Sequence, residues 1–276
     1  MANLHANGID IEYETFGDAP AEPLLLIMGF GRQMIAWPDA FCTAIADRGF
    51  RVIRFDNRDA GLTRTNGAPY TIDDMADDAA GLLTALGITA AHVVGASMGG
   101  AIAQTLAIRR PEMVLSLTSI MSTSGRFDQV GSDPDVMRLL AADPPVADRD
   151  GAIDRAVRIA RAVGTQGMFD EARAREAAAR AWDRDPSYDG LERQRQAMAA
   201  SGDRTEALGR LSVPALVIHG EADQLVSVAA GRRTAEAIPD ARLLVVPGMG
   251  HDLPQPLWDQ VVDAIAEVAG RARSAV

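Results

Sequence analysis

The sequence predicts an α/β fold, in which a mostly parallel, doubly wound sheet carries a helical insertion. Short apolar runs alternate with amphipathic segments at both ends of the chain, and one such run enters a helix pattern through a glycine-flanked turn. Between about residues 122 and 210 the apolar runs stop and only helix-like pieces remain. Strands joined by helices pair in parallel. We therefore expect a core of residues 1–121 and 211–276, with residues 122–210 inserted as a helical cap.

The composition fits one large core and limits the partners. The chain has 276 residues, 47% of them apolar and 24% charged. A net charge of -11 disfavours nucleic acid and anionic membranes, because phosphate groups are bound by clustered positive charge. No apolar run approaches the roughly 18 residues that span a bilayer, and residues 1–7 lack a leader pattern. We expect a cytoplasmic monomer or homodimer that acts on a small molecule.

The first elements alternate between strand and helix patterns. Residues 8–16 alternate apolar and acidic side chains, which predicts an antiparallel strand at the sheet edge. Residues 23–28 are apolar apart from the leading proline, as in a central strand covered on both faces. Apolar residues at helical spacing in residues 37–48 precede a buried strand at 51–55. Residues 23–55 are therefore predicted to form a strand, a helix and a second strand.

A polar turn at residues 56–61 follows, where we expect Asp56 and Arg58 to form a local ion pair. Thr71 and Asp74 stand in capping-box positions and predict a helix that continues to Leu86. The later core elements follow the same alternation. They are strands at 91–96, 114–120, 213–219 and 242–246, and helices at 98–109, 229–237 and 256–269.

The insertion has helix-like pieces near 134–141, 151–163, 168–182 and 189–200, with breaks at Pro144-Pro145, Gly164 and Pro186. An all-helical segment inside a strand-helix series suggests a lid over the carboxyl ends of the strands. The alternative is a helical subdomain away from any site.

One serine lies at the corner between a strand pattern and a helix pattern. Gly95 and Gly99 flank Ser97 in the spacing G-x-S-x-G, which a tight strand-to-helix turn requires because a Cβ would not fit two residues away. The helix that begins at Met98 directs its unpaired N–H groups towards the same point. Ser97 is therefore the candidate nucleophile.

An acid and a base follow Ser97 in chain order. Asp223 lies in the loop after the strand 213–219, where ligands bind in parallel sheets; Glu221 competes for the same role. His251 lies in the glycine-containing loop after the next strand and is the candidate base. Asp252 is expected to be a solvated residue or a helix cap.

The other three histidines are expected to be structural. His5 precedes the expected sheet, His92 opens the nucleophile strand, and His219 lies at a strand end before the acid.

Two backbone N–H groups are candidates for the oxyanion hole. The first belongs to Met98, which follows the nucleophile. The second belongs to Phe30, where the chain turns away after Gly29. We expect no cofactor or metal ion to be needed.

With these residues in place, the chain resembles the α/β-hydrolases over nearly its whole length. The resemblance rests on Gly95-Ala-Ser97-Met-Gly99, His219-Gly220-Glu-Ala-Asp223, Gly248-Met-Gly250-His251 and Asp56-Asn-Arg58-Asp-Ala-Gly61. The runs Leu25-Leu-Ile-Met-Gly29, Trp37-Pro38-Asp39, Arg54-Phe-Asp-Asn-Arg58-Asp59 and His92-Val-Val-Gly-Ala-Ser-Met98 are similar to the aclacinomycin methylesterase group of esterases. Many relatives have His-Gly where this chain has Met28-Gly29, a difference that leaves the N–H donors available.

The resemblance implies ester hydrolysis through an acyl-enzyme on Ser97, activated by His251 and Asp223. A serine at this position disfavours dehalogenase and epoxide hydrolase chemistry, which need a carboxylate nucleophile. A cofactor-free perhydrolase of the haloperoxidase-like type and a carbon–carbon bond hydrolase would use the same triad. A ligand receptor built on this fold is the non-enzymatic alternative.

Overall fold

The computed structural model describes residues 2–125, 130–142 and 146–273. The strands of its eight-stranded sheet are β1 (Ala2–Ala6), β2 (Ile9–Phe16), β3 (Glu22–Ile27), β4 (Phe50–Phe55), β5 (Ala91–Ala96), β6 (Val114–Ile120), β7 (Ala215–Gly220) and β8 (Arg242–Val246). Their order in the sheet is β1-β2-β4-β3-β5-β6-β7-β8. Only the β1–β2 and β2–β4 pairs are antiparallel, so the predicted α/β class with a mostly parallel sheet is confirmed.

Helices cover both faces of the sheet. They are α1 (Asp39–Ala46), α2 (Ile72–Ala85), α3 (Met98–Arg109), α9 (Val228–Ala237) and α10 (Trp258–Arg273). Strand β3 shows why residues 24–27 are all apolar: Leu25 packs in the cluster beneath α2 and α3, and Leu24 packs in the cluster beneath α1 and α10. Both side chains are fully buried. The prediction of a central strand at 23–28 is confirmed.

The amino-terminal edge differs from the prediction. Strand β2 is not an edge strand, because β1 pairs with it on one side and β4 on the other. His5 lies in β1, so the expectation that it precedes the sheet is also wrong. The chain reverses at Asn7 and Gly8, whose φ angles are 48° and 78°. Asn-Gly is a strong signal for a two-residue hairpin turn, and it accounts for the additional strand.

The insertion runs between β6 and β7. It contains α4 (Pro134–Ala142), α5 (Arg149–Val163), α6 (Glu171–Arg184), α7 (Leu191–Ala200) and the short α8 (Thr205–Leu208), which was not predicted. The predicted break at Pro144-Pro145 lies outside the described residues. Boundaries of the cap at residues 122 and 210 stay a prediction.

The polar turn after β4 connects the core to other helices. The Asp56 carboxylate lies 2.7 Å from Nη1 of Arg184 in α6, whereas Arg58 binds both carboxylate oxygens of Asp78 in α2. The predicted local pair between Asp56 and Arg58 is therefore wrong. Asp56 and Arg58 thus form ion pairs with two different helices, α6 and α2, and both pairs hold the turn in place.

The capping box on α2 is confirmed, since Thr71 Oγ1 accepts from the Asp74 N–H at 3.2 Å and Asp74 accepts from the Thr71 N–H at 2.8 Å. No helix within the described ranges is long and apolar enough to cross a bilayer.

Candidate active site

Ser97 occupies the sharp turn between β5 and α3. Its φ of 56° and ψ of -120° lie in a region that residues with a Cβ rarely adopt. The backbone holds the turn in place: Ser97 N–H donates to the Ile120 carbonyl at 2.9 Å, and Gly100 N–H donates to the Ser97 carbonyl at 2.9 Å. The serine therefore lies at the carboxyl end of a central strand with its backbone held in a strained conformation.

The two flanking glycines allow this turn to form. A Cβ on Gly95 would lie 2.0 Å from the Gly99 carbonyl oxygen, and a Cβ on Gly99 would lie 2.1 Å from the carbonyl oxygen of Ile27 in β3. Both distances are far shorter than a van der Waals contact. The spacing G-x-S-x-G thus reflects close backbone contact on both sides of the serine.

Gly99→Ala is expected to destabilise the protein by about 3 kcal/mol or more, because backbone atoms of β3 would have to move to make room. Gly270→Ala in α10 is the matched control, since nothing lies within 4 Å of its Cβ position. Alanine there is expected to leave stability unchanged or raise it by about 0.5–1 kcal/mol. Urea denaturation followed by circular dichroism measures both. A Gly99→Ala protein within about 1 kcal/mol of the parent would contradict this account of the turn.

The structure brings the three predicted side chains together. His251 Nε2 lies 3.1 Å from Ser97 Oγ, and His251 Nδ1 lies 2.7 Å from Asp223 Oδ2. The residues are separated by 154 and 28 positions along the chain. These distances allow a proton to pass from the serine to the imidazole while the carboxylate orients the ring.

Asp223 is oriented by its own loop. Its Oδ1 accepts from the N–H groups of Leu225 and Val226 at 2.9 and 2.8 Å, which leaves Oδ2 for His251. Burial by itself would raise the pKa of the carboxyl group, but hydrogen bonds from His219 and His251 outweigh it and lower the pKa to about 2. The competing Glu221 is exposed. The geometry favours Asp223 as the partner of the histidine.

His219 lies beside the acid and contacts the loop that carries it. Its Nε2 lies 2.8 Å from the Val226 carbonyl oxygen and 3.5 Å from Asp223 Oδ2, and its ring is fully buried. Because the carbonyl can only accept, we assign the proton to Nε2. The ring thereby joins the end of β7 to the loop that carries the acid. Its position four residues before Asp223 was the available signal for this contact.

The histidine loop is held by the insertion. The His251 N–H donates to the Val163 carbonyl at 2.7 Å, and the Gly250 N–H donates to Thr165 Oγ1 at 3.0 Å. Asp252 accepts from the N–H and the hydroxyl of Thr165 at 3.0 and 2.6 Å. The expectation that Asp252 is solvated or caps a helix is therefore wrong: its carboxylate binds the loop after α5 and helps to hold the neighbouring His251.

The loop after β3 lies against the serine. A Cβ on Gly29 would be 3.7 Å from Ser97 Oγ, so this backbone borders the hydroxyl directly. Further along the loop, the Gly31 N–H donates to Oε1 of Gln194 in α7 at 2.8 Å. Within the described residues, the N–H groups of Phe30 and Met98 donate to no acceptor. Both predicted oxyanion donors are therefore free to bind a ligand atom.

No cluster of three or more histidine, cysteine, aspartate or glutamate side chains with the geometry of a metal site occurs in the part of the chain that the structure describes.

Known proteins resemble this chain along most of its length. Residues 22–254 match the family described as the alpha/beta hydrolase fold. Rhodomycin D methylesterase DauP from Streptomyces sp. strain C5 is 32% identical, with 91% of this chain and 92% of that protein covered. The bifunctional esterase/perhydrolase DCH from Acinetobacter calcoaceticus is 27% identical, with 90% of this chain and 91% of that protein covered.

A solved structure is also similar. The meta-cleavage product hydrolase CumD from Pseudomonas fluorescens IP01, determined as a variant with bound acetates, superposes with a TM-score of 0.82 and 25% identity. The match covers 99% of this chain and 98% of that one. The similarity to methylesterases of the aclacinomycin group is confirmed by the DauP match, and the chain belongs to the alpha/beta hydrolase fold family.

Proposed function

We propose that the protein is a serine hydrolase that cleaves carboxylic esters through an acyl-enzyme on Ser97. The observation that carries this proposal is the continuous hydrogen-bonded series from Ser97 Oγ through the His251 ring to Asp223, at 3.1 and 2.7 Å. Ester hydrolysis requires a nucleophile beside a base that is itself oriented by an acid. The ionised Asp223 carboxylate supplies the charge that stabilises the imidazolium ion.

In the first half of the reaction, Ser97 Oγ attacks the ester carbonyl carbon while His251 Nε2 accepts the hydroxyl proton. The N–H groups of Phe30 and Met98 bind the oxyanion of the tetrahedral intermediate. His251 then gives its proton to the leaving alcohol, and the acyl group stays on the serine. Asp223 keeps its negative charge throughout and holds the ring in the required tautomer.

In the second half, water replaces the alcohol. His251 takes a proton from the water, whose oxygen attacks the acyl carbon, and the proton then returns to Ser97 Oγ as the acid departs. Apart from the substrate and this water, the steps use only groups of the chain. The insertion holds the histidine loop through Val163 and Thr165, which keeps the imidazole beside the serine in both halves.

Two alternative reactions use the same acyl-enzyme or the same nucleophile. DCH is named as an esterase/perhydrolase, and CumD is a hydrolase of meta-cleavage products. Peroxide in place of water would produce a peracid, whereas a carbon–carbon bond hydrolase would act on a ketone. A ligand receptor on this fold would bind without turnover.

Labelling with a fluorophosphonate, followed by mass mapping, tests the nucleophile directly. We expect one label per chain on the peptide that contains Ser97, together with hydrolysis of at least one ester in a panel that varies acyl length and alcohol. Peracid formation measured beside acid release on one ester separates perhydrolysis from hydrolysis. A protein that takes up no label and turns over no ester would contradict the proposal.

A further inference from the structure

Arg32 lies in the loop that borders the nucleophile. It follows Gly31 and lies three positions after Gly29, whose backbone touches Ser97. Its side chain makes no ion pair and no hydrogen bond with any residue of the described ranges, whereas nearby Arg184 and Arg193 bind Asp56 and Asp59. As far as the described part of the chain is concerned, all N–H donors of this guanidinium are available to a ligand.

The exposure of the Arg32 side chain and the pKa of its guanidinium describe its surroundings. The residue is solvent-exposed. Nevertheless, burial lowers the pKa of its guanidinium, and no charged neighbour opposes this effect. Water therefore reaches the side chain, while the protein around it removes part of the hydration of its charge. Among the described residues, no carboxylate compensates the charge of Arg32 for this loss of hydration.

The loop is fixed on both sides of Arg32 by the insertion. A Cβ on Gly31 would lie 2.6 Å from Leu191 in α7, and Gln33 donates to the Ala181 carbonyl of α6 at 2.8 Å. The Gln194 side chain also accepts from the Gly31 N–H. Arg32 therefore projects from a backbone held between the nucleophile and helices α6 and α7. Arg32 is therefore carried by a fixed loop that borders the nucleophile.

We propose that Arg32 binds a carboxylate carried by the ester substrate, so that the enzyme selects esters of acidic compounds. The proposal rests on the ester hydrolysis proposed above. A guanidinium presents two parallel N–H donors that match the two oxygens of a carboxylate. No carboxylate of the described residues contacts Arg32, so a carboxylate of the substrate can take this place. In a protein of net charge -11, one uncompensated arginine beside the nucleophile supplies local attraction for an anion.

Matched ester pairs test this assignment. In one pair, p-nitrophenyl hexanoate is compared with the p-nitrophenyl monoester of adipic acid, which places the carboxylate in the acyl part. In the other, para-acetylphenyl acetate is compared with para-carboxyphenyl acetate, which places it in the alcohol part. The measured quantity is the ratio of kcat/KM for the carboxylated ester to kcat/KM for its neutral partner. The parent enzyme is expected to favour the carboxylated member of at least one pair.

Arg32→Gln is expected to lower that ratio by at least about 30-fold, since truncating one partner of a hydrogen-bonded charge pair that is partly desolvated has effects of this size. Arg32→Lys keeps the charge without the fork and should retain an intermediate ratio. Arg210→Gln is the matched control: it removes the same charge from a side chain that is 74% exposed, before β7. Its ratio should stay within about threefold of the parent value, as expected for a surface charge.

An unchanged ratio in Arg32→Gln for both pairs would overturn the assignment. So would an equal loss on both members of a pair, which would make Arg32 a structural residue of the loop. If the parent hydrolyses no ester, the proposed function fails, and calorimetric binding of adipate to the parent and to Arg32→Gln still tests the arginine. Adipate affinity at least about 30-fold weaker in the variant supports the assignment. Equal affinity, or no binding to the parent, refutes it.

Discussion

Replacing Ser97 with alanine is expected to lower kcat for a short p-nitrophenyl ester by at least about 10³-fold. The hydroxyl is the atom that His251 Nε2 approaches at 3.1 Å, and alanine leaves no atom to form the acyl-enzyme. The fold should survive the change, because serine and alanine both carry a Cβ and share the same strain at a φ of 56°. Initial rates and far-ultraviolet circular dichroism of the purified proteins measure the two effects.

Ser212→Ala is the control for the loss of a serine hydroxyl. Ser212 is exposed and lies just before β7, at the opposite end of the strand from Asp223. The Ser212→Ala variant should have the same kcat as the parent. Activity in Ser97→Ala within about tenfold of the parent would show that hydrolysis takes place at another site.

Asp223→Asn is expected to lower kcat/KM by about 10³–10⁴-fold near neutral pH. The N–H groups of Leu225 and Val226 both donate to Oδ1, so an asparagine would keep its carbonyl oxygen there and turn its NH₂ towards His251 Nδ1. The ring must then accept at Nδ1 and carry its proton on Nε2. In that tautomer Nε2 cannot take the proton from Ser97. Serine hydrolases that depend on such a triad lose activity to about this extent when the histidine is held in the wrong tautomer.

Glu221→Gln is the matched control, because it neutralises the competing carboxylate two residues away. Glu221 is exposed, so kcat/KM of the Glu221→Gln variant should stay within about threefold of the parent value. A large loss in Glu221→Gln together with a small one in Asp223→Asn would reverse the assignment of the acid.

The stability of the parent protein and of Asp223→Asn in acid provides a second test of the role of Asp223. Because the pKa of Asp223 is lowered from 3.8 to about 2, its ionised form stabilises the folded protein above about pH 4, and this contribution disappears as the pH falls through 2. Between pH 6 and pH 3 the loss amounts to about 1 kcal/mol. Asp223→Asn lacks the group, so its free energy of unfolding should fall by about 1 kcal/mol less over that interval. Parallel pH profiles would contradict the lowered pKa.

Local patterns predicted the core and the site candidates. The bounds 91–96 and 98–109 agree with β5 and α3, because G-x-S-x-G imposes one backbone geometry at the boundary. Loops after parallel strands meet at one edge of the sheet, so the positions of Asp223 and His251 at strand ends were enough to suggest that they meet Ser97. Their chemical roles follow from the proposal and await the variants above.

Contacts that depend on the packing of the insertion could not be predicted in this way. Gln194 binds Gly31 across 163 positions, and Thr165 binds Gly250 across 85. Helical periodicity identifies which face of a helix is apolar, but it does not identify which core loop that face meets. The same reason explains the error at Asp56, whose partner Arg184 belongs to α6. The β1 strand is different, since the Asn-Gly turn that follows it is a local signal visible in the sequence.

The hydrogen bonds between the insertion and the two loops beside Ser97 bear on how substrate range could be redesigned. Helix α7 holds the loop after β3 through Gln194, and the end of α5 holds the histidine loop through Val163 and Thr165. Exchanging the whole cap with that of a relative would alter the binding space and also remove these supports. A chimera should therefore keep Gln194, Val163 and Thr165 at their present positions. If only the cap helix faces between these residues are varied, the catalytic geometry can stay intact.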